Sequence, residues 1–226
     1  MSRQSARDAD DLAGRVRENY DRLGIEYARN LFRELEKKPL DRQLLDRLAT
    51  ETAGRGKVCD MGCGPGQVAR YLRGAGADVF GFDLSPEMIG QARNLNPDIS
   101  FLQGNMSALD LPTRSLAGIA AFYAIVNIRK ESLPLVFSEM QRVLQPGGLL
   151  LLAFHVGYET LRPPELWGEP IAMDWFFFPV SEIKALLEAA GFFIEEVTER
   201  EPYAPDIEHQ SRRAYIFARK PAPSRR

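Results

Sequence analysis

The sequence predicts an α/β fold, a doubly wound and mostly parallel sheet with helices on both faces. Three observations predict it: strand-like and helix-like segments alternate from residue 57 to residue 144, a glycine-rich turn joins the first strand to a helix, and an apolar run follows at residues 149–154. Parallel strands need crossover connections, and a strand buried on both faces is apolar throughout. The 226 residues, 45% of them apolar and 27% charged, permit one large core.

An N-terminal helical cap is expected before this sheet. In the first helix, apolar and aromatic side chains recur at three- and four-residue steps, at Val16, Tyr20, Leu23, Tyr27 and Leu31. Gly24 lies inside this pattern and is a candidate interruption of the helix. A second helix follows Pro39. We therefore divide the chain into a cap, residues 1–50, and a main domain, residues 51–226.

Strands and helices then alternate through the main domain. The expected strands cover residues 57–61, 78–83, 99–103, 117–122 and 149–154, and the expected helices cover residues 67–74, 86–94 and 133–144. Two further strands are expected at 192–199 and 214–220. The loop between them has no room for a crossover helix, so the last strand is expected to run antiparallel.

The alternation breaks after residue 154. Residues 155–180 are rich in proline and aromatic side chains, and a helix at 181–190 follows them. A connection of this length inside a compact domain is usually functional or mobile. We interpret it as an insertion that specifies the substrate. Its aromatic residues form either an apolar substrate wall or the packing of the insertion itself: Trp167, Trp175 and Phe176 to Phe178.

Composition disfavours several classes of protein. The formal net charge is −2, so no overall positive field exists to attract a nucleic-acid backbone. The sequence contains no run of eighteen apolar residues and no secretory signal. We therefore expect a cytoplasmic location and no membrane partner. Cys59 and Cys63 match neither a zinc pattern nor a disulfide framework, and we interpret both as small residues that fill space.

The glycine-rich turn indicates a bound ligand. It reads Asp60-Met61-Gly62-Cys63-Gly64-Pro65-Gly66, at the end of an apolar strand. Glycines are needed where a backbone turns sharply or where a ligand must approach it closely. A tight strand-to-helix turn without a ligand is the competing interpretation. Asp83, at the end of the next strand, favours the ligand, because an acidic residue there accepts hydrogen bonds from ribose hydroxyls in dinucleotide folds. Alternatively, Asp83 caps the following helix.

The spacing distinguishes between cofactors. Pyrophosphate-binding turns read Gly-x-Gly-x-x-Gly, and a helix N-terminus there favours negative charge. Here the spacing is Gly-x-Gly-x-Gly, and Asp60 directly precedes it. Because a carboxylate would repel pyrophosphate, the turn suits a ligand with an ammonium and a sulfonium, as S-adenosylmethionine has. A nicotinamide-dependent oxidoreductase is therefore disfavoured.

Four segments together resemble the class I S-adenosylmethionine-dependent methyltransferases. DMGCGPG resembles their first motif, FDLSPEMI their second-strand acidic motif, FLQGNMSALDLP their adenine loop and EMQRVLQPGGLLLLAF the helix and strand after the fourth strand. The resemblance spans roughly residues 20–220. It implies a seven-stranded sheet whose last strand is antiparallel, S-adenosyl-L-methionine as cofactor and S-adenosyl-L-homocysteine as product.

The resemblance also implies a cofactor site. It places Asp60 and the glycine turn along the methionine portion and Asp83 on the ribose hydroxyls. Many relatives have an acidic residue where this chain has Asn105 and Met106. The Asn105 side-chain carbonyl or the Met106 backbone N–H would therefore contact the adenine. The whole expected set is Tyr20, Tyr27, Asp60, Gly62, Cys63, Gly64, Asp83, Leu84, Met88, Gly104, Asn105, Met106 and Phe122. The pattern alone favours a place in the helix core for Tyr20 and Tyr27, whereas the resemblance favours a place over the methionine end of the cofactor.

Candidates for catalysis are fewer. Phe122 and Tyr123 follow the fourth strand, where the corresponding residues of relatives line the methyl-transfer site. This segment contains neither an Asn-Pro-Pro-Tyr-like sequence nor a set of magnesium ligands. If a base is needed, His155 is the first candidate, followed by Glu159, Asp174 and Tyr123; a structural role is the alternative for His155.

We therefore expect methyl transfer to N, O or C of a small, partly apolar metabolite. The alternatives are a protein or peptide acceptor, or a cofactor-binding module without catalysis. Neither the attacked atom nor the oligomeric state follows from the sequence.

Overall fold

The structure, a computed structural model, describes residues 3–222. Its helices and strands follow one another along the chain as α1 Arg3–Leu31, α2 Pro39–Thr52, β1 Lys57–Met61, α3 Gln67–Gly74, β2 Val79–Asp83, α4 Pro86–Leu95, β3 Ser100–Gln103, β4 Leu116–Phe122, α5 Leu133–Val143, β5 Leu144–His155, β6 Thr160–Leu161, β7 Glu165–Leu166, β8 Glu169–Pro170, β9 Trp175–Phe176, α6 Val180–Ala189, β10 Phe193–Arg200 and β11 Arg213–Arg219. Within the described residues, no helix is long and apolar enough to span a membrane.

Seven of these strands form one sheet in the order β10-β11-β5-β4-β1-β2-β3. Neighbouring strands pair in parallel across the part of the sheet that contains β3, β2, β1, β4 and β5. β11 pairs antiparallel with both β5 and β10. The predicted doubly wound α/β fold with an antiparallel last strand is confirmed. β11 lies between its neighbours and not at the edge, because the short loop after β10 returns the chain directly into the gap beside β5.

The central apolar strand was predicted from its composition. Residues 149–154 of β5 are all buried, and alternate side chains pack into the cores on opposite faces of the sheet. β5 begins earlier than expected, because Leu144 already pairs with Leu116 before an irregularity in the register. This arrangement places the carboxyl ends of β1, β2, β4 and β5 along one edge of the sheet.

The first helix is continuous through Gly24. A Cβ on this residue would lie 2.5 Å from Cγ of Glu87 in α4, so the glycine permits close packing of the two helices and does not break α1. α2 runs to Thr52, so residue 50, where we placed the end of the cap, lies in its last turn. The division into cap and main domain remains a prediction.

The insertion after β5 consists of two small antiparallel pairs, β6 with β9 and β7 with β8. Buried Asn19 joins it to α1: its Oδ1 accepts a hydrogen bond from the Ala172 N–H at 2.9 Å, and its Nδ2 donates to the Ala172 carbonyl at 3.4 Å. The helix and the insertion therefore lie together over the edge where the parallel strands end.

Candidate functional site

A cleft with two lobes opens at the carboxyl ends of the parallel strands. The first lobe has a volume of about 320 Å³ and extends toward α4 and residues 105–108. The second lobe, about 470 Å³, extends under the insertion and toward β11. The two lobes are continuous, because both are lined by Tyr20, Tyr27, Gly62, Gly64, Phe122 and Tyr123.

The glycine turn forms the floor between the lobes. Gly62, Gly64 and Gly66 have φ angles of 73°, 50° and 86°, which side chains other than glycine rarely adopt. A Cβ on Gly62 would also lie 2.7 Å from the Cβ of Ala124, after β4. At Gly64 the space opens to the ring of Tyr27, 3.5 Å from where a Cβ would lie. Gly64 therefore lies under the Tyr27 ring, where it lines both lobes.

Asp83 is held rigidly beside that floor. One carboxylate oxygen accepts the Gly64 N–H at 2.9 Å, and the other accepts the Ser85 N–H at 2.9 Å. Burial raises the pKa of this carboxyl, and the backbone hydrogen bonds oppose that rise. Each oxygen retains lone pairs, and the residue lines the first lobe, so the carboxylate can accept from a pair of neighbouring hydroxyl groups.

Asp60 lies deeper, at the end of β1. Its Oδ2 accepts the Ala69 N–H of α3 at 2.8 Å, and the residue lines the second lobe although it is almost fully buried. Burial raises its pKa to about 8, with a further contribution from the charge of Asp83. A positively charged group of a ligand in this lobe would favour the ionised form.

Aromatic side chains from α1 and the insertion cover the turn. The Tyr20 hydroxyl donates to Asn127 Oδ1 at 2.8 Å, and its ring meets the Tyr27 ring edge-on at 5.8 Å. The Tyr27 ring in turn meets Trp167 at 5.5 Å. Both tyrosines therefore lie over the cleft.

Most of the other expected cofactor residues also line the cleft. The first lobe contains Leu84, Met88, Asn105 and Met106, and the second contains Cys63, whose thiol is free and buried. Gly104 is the exception among the expected residues, because neither lobe includes it. A Cβ there would lie 2.4 Å from Phe82 Cζ, so this glycine is needed for packing under the adenine loop.

His155 and Tyr123 lie side by side in the second lobe, with ring centroids 4.9 Å apart. His155 also stacks on Phe177 at 4.9 Å, and its Nδ1 lies 2.7 Å from Ser211 Oγ. Burial, reinforced by the positive charge of Arg213, lowers its pKa to about 3. Burial raises the pKa of the Tyr123 hydroxyl well above its ordinary value. Neither group has the basicity that suits proton abstraction near neutral pH.

Tyr123 has a left-handed backbone, with φ of 56°. This conformation is uncommon for a bulky residue and is often found at functional sites. The backbone N–H donates to the Ala153 carbonyl at 2.8 Å, which fixes the chain as it leaves β4. The turn brings the ring into both lobes of the cleft.

A network of buried charges lies behind the second lobe. Lys38 contacts Glu34 at 2.5 Å and Glu208 at 3.5 Å. Arg200 donates to both oxygens of Glu208, at 2.5 and 3.0 Å. Although burial would raise the pKa of Glu208, the hydrogen bond from Arg200 and other contacts lower it to about 2.

Several residues that line the cleft were not identified from the sequence. Leu12 and Val16 extend the covering face of α1 over the first lobe, and the amphipathic pattern that predicted this helix could have indicated them. Lys38, Gln67 and Arg213 line the second lobe. No local motif marks these three, since they come from distant parts of the chain.

The chain is similar in sequence to known methyltransferases. Residues 58–148 match the family model described as a methyltransferase domain. An uncharacterised methyltransferase of Synechocystis is 29% identical over 148 residues, which cover 61% of this chain and 67% of that protein. A demethylmenaquinone methyltransferase of Chlorobaculum tepidum is 38% identical over 93 residues, which cover 41% of this chain and only 38% of that protein.

The fold has solved counterparts as well. The crystal structure of an S-adenosylmethionine-dependent methyltransferase from Methanosarcina mazei superposes with a TM-score of 0.66 at 21% identity, covering 74% of this chain and 92% of that one. Sequence motifs, the family model and the strand order therefore agree. Over residues 58–148, and in its fold, the chain is similar to the class I S-adenosylmethionine-dependent methyltransferases.

Proposed function

We propose that this chain binds S-adenosylmethionine across the two lobes and transfers its methyl group to a small, partly apolar acceptor in the second lobe. The observation that carries the proposal is the position of Asp83. Its carboxylate is fixed between the backbone N–H groups of Gly64 and Ser85, in the first lobe and beside the glycine turn.

The residues present fit this cofactor. Asp83 has free lone pairs for the ribose hydroxyls, and Leu84 and Met88 supply apolar contact for the adenine in the first lobe. On the other side of the glycine turn, Asp60 can balance an ammonium group. The buried Oε1 of Gln67 has no hydrogen-bond partner among the described residues, so it remains available to accept from the same group.

Positioning is the main contribution expected from the chain to catalysis. The bound cofactor supplies a methyl group on a sulfonium, which is an excellent leaving group. Tyr123 and Phe122 lie between the lobes and would orient the acceptor, while Tyr27 and Trp167 exclude water from above. Because His155 is a weak base and Tyr123 holds its proton tightly, the attacking atom is expected to arrive with a free lone pair.

The second lobe supports a small acceptor. Its volume of about 470 Å³ must also hold part of the cofactor, and Trp175 and Phe177 give it an apolar wall. A relative from Chlorobaculum tepidum is described as a demethylmenaquinone methyltransferase. We propose that residues 155–180, which carry the wall, specify the acceptor.

Calorimetric titration with S-adenosylmethionine and with NAD tests the cofactor. We expect the first to bind and the second not to bind. Asp83→Asn should weaken S-adenosylmethionine at least about tenfold, because it replaces a charge-assisted acceptor of the ribose hydroxyls with a neutral amide. The matched control is Asp98→Asn, an exposed carboxylate that lines neither lobe. Binding of NAD alone would contradict the proposal.

A second function, cofactor binding without methyl transfer, is favoured by one observation. Neither candidate base is suited to abstract a proton near neutral pH. Formation of S-adenosylhomocysteine with any member of a panel of small acceptors would exclude this alternative. Binding of the cofactor with no turnover across amine, hydroxyl, thiol and carbon acceptors would support it.

A further inference from the structure

Arg213 is a buried cation whose hydrogen bonds are incomplete. It begins β11, is only 2% exposed and lines the second lobe. Its Nη1 donates to the carbonyl oxygen and to Oγ of Ser211, at 2.8 and 2.9 Å. Its Nε has no hydrogen-bond partner in the described part of the chain. A buried donor without a partner is costly, and it indicates a group that the site is built to receive.

The nearest carboxylate does not supply that group. Glu208 Oε2 lies 3.1 Å from Nε of Arg213, but the two are not aligned as a hydrogen bond. Glu208 is instead held by both terminal nitrogens of Arg200 and by the Tyr203 N–H at 2.7 Å. Lys38 approaches the same carboxylate at 3.5 Å. Glu208 is therefore shared among three cations, of which Lys38 also pairs with Glu34 and Arg200 also pairs with Asp41 at 3.3 Å.

The surroundings of Arg213 offer donors and ring faces. Its guanidinium carbon lies 5.4 Å from the centroid of the Tyr123 ring. Ser211 Oγ accepts from Arg213, which leaves the Ser211 hydroxyl hydrogen free to donate to Nδ1 of His155 at 2.7 Å. In that arrangement the imidazole proton is on Nε2, so His155 is a further donor in this lobe.

We propose that the second lobe binds a carboxylate of the acceptor, and that Arg213 is the residue that holds it. A carboxylate accepts charge-assisted hydrogen bonds from a guanidinium, and Nε of Arg213 has no hydrogen-bond partner among the described residues. Phe177, stacked on His155, and Trp175 would contact the apolar part of the same molecule. The inference rests on the proposed function and deepens it, from a partly apolar acceptor to an acceptor that is a carboxylic acid.

An ammonium-bearing acceptor fits less well. Lys38 and Arg213 would repel it, and the two carboxylates closest to these cations are already engaged: Glu34 by Lys38, and Glu208 by Arg200. Burial and the charge of Arg213 also lower the pKa of His209, which lines the same lobe. The positive charge of Arg213 therefore favours a negative group directly beside it.

Fragment binding tests the inference without knowledge of the natural acceptor. Phenylacetate, its neutral isostere phenylacetamide and phenylphosphate are titrated into the protein with and without S-adenosylhomocysteine. We expect phenylacetate to bind at least about tenfold more tightly than phenylacetamide. Arg213→Met should remove this preference, and Arg213→Lys should retain part of it. The matched control is Arg212→Met, an exposed neighbour that pairs with Glu199 and should leave the preference unchanged.

Three outcomes would overturn the inference: equal binding of the acid and the amide, no binding of phenylacetate, or a preference for phenylphosphate. Circular dichroism and the affinity for S-adenosylhomocysteine show whether each variant is folded. The comparison of acid and amide in the unsubstituted protein does not depend on any variant. If S-adenosylhomocysteine binds and the acid is not preferred, only this inference fails. If S-adenosylhomocysteine does not bind, the proposed function fails, and a preference for the acid would still support the anionic subsite.

Discussion

Individual side chains in this cleft have ionisation properties that burial determines. Desolvation is the largest influence on the pKa of three of them, Asp60, Asp83 and His155. These residues lie near the glycine turn or in the second lobe. For the carboxyls, burial favours the protonated form, and for the imidazole it also favours the neutral form. In the free protein at pH 7, Asp60 with its pKa of about 8 is therefore mostly protonated, and His155 with its pKa of about 3 is neutral.

We predict that binding of S-adenosylmethionine releases a proton through Asp60. Its pKa of about 8 in the free protein leaves it mostly protonated at pH 7, and the ammonium of the ligand would ionise it. The heat of binding at pH 7 should therefore differ between phosphate and Tris buffers, by up to about one proton's ionisation enthalpy. Asp60→Asn should abolish the buffer dependence. The same heat in both buffers for the unsubstituted protein would refute the role of Asp60.

His155 should make the protein less stable in mild acid. Its pKa is about 3 in the folded protein against an ordinary value of 6.5, so between these values the unfolded chain binds a proton that the folded chain does not. The associated stability is complete above pH 6.5 and is lost as the pH falls. From pH 7 to pH 5 the loss should be about 2 kcal/mol. Urea unfolding should show a larger loss of unfolding free energy in the unsubstituted protein than in His155→Gln as the pH falls. Above pH 7 the two plots of unfolding free energy against pH should be parallel.

At the scale of secondary-structure elements, the site depends on close contacts between segments that are distant in the chain. The turn after β1 touches the residue after β4, and α1 is hydrogen-bonded to the insertion. These contacts fix the positions of the glycine turn, which forms the floor of the cleft, and of α1 and the insertion, which cover it.

Gly62→Ala should disturb the floor. The new Cβ would lie 2.7 Å from Ala124 Cβ, and the backbone there has a positive φ, so we expect a loss of about 1–3 kcal/mol in unfolding free energy together with weaker binding of S-adenosylmethionine. Gly74→Ala is the matched control, because no atom lies within 4 Å of its added Cβ. Equal stability of the two variants in guanidinium titrations would show that the turn tolerates a side chain.

Asn19→Ala should loosen the cover. It removes both hydrogen bonds to the exposed residue Ala172, at a cost of about 0.5–1.5 kcal/mol. Because one side chain joins two segments, hydrogen exchange should become faster in α1 and in residues 160–176 together. The control is Asn94→Ala, an exposed position on α4. Faster exchange in α1 alone would contradict a shared cover.

At the scale of the whole molecule, ligand binding should be visible as global stabilisation. At a concentration one hundred times its dissociation constant, S-adenosylmethionine should stabilise the folded state by about 2.7 kcal/mol. For a chain of this length that corresponds to a rise in Tm of about 5–10 °C. NAD at the same concentration serves as the control and should leave Tm unchanged in a calorimetric scan. An equal rise with NAD would argue against selectivity for the cofactor.

The sequence alone determined the fold class and the position of the glycine turn. Alternating segments, the run at residues 149–154 and the short connection before the last strand predicted the sheet, because periodicity and burial are recorded in neighbouring residues. The glycine spacing and Asp83 likewise predicted a ligand at the strand ends. Continuity of α1 through Gly24 was left open, since it depends on Glu87, which is distant in sequence.

Only the tertiary structure showed the chemical character of the second lobe. Lys38, Arg200 and Arg213 come from three parts of the chain and meet at Glu208, and no local pattern indicates such a meeting. The basicity of His155 was also undetermined by sequence, because it follows from desolvation and from the nearby charge of Arg213. Local propensity and spacing act through neighbours in the chain, whereas burial and electrostatic fields act through neighbours in space.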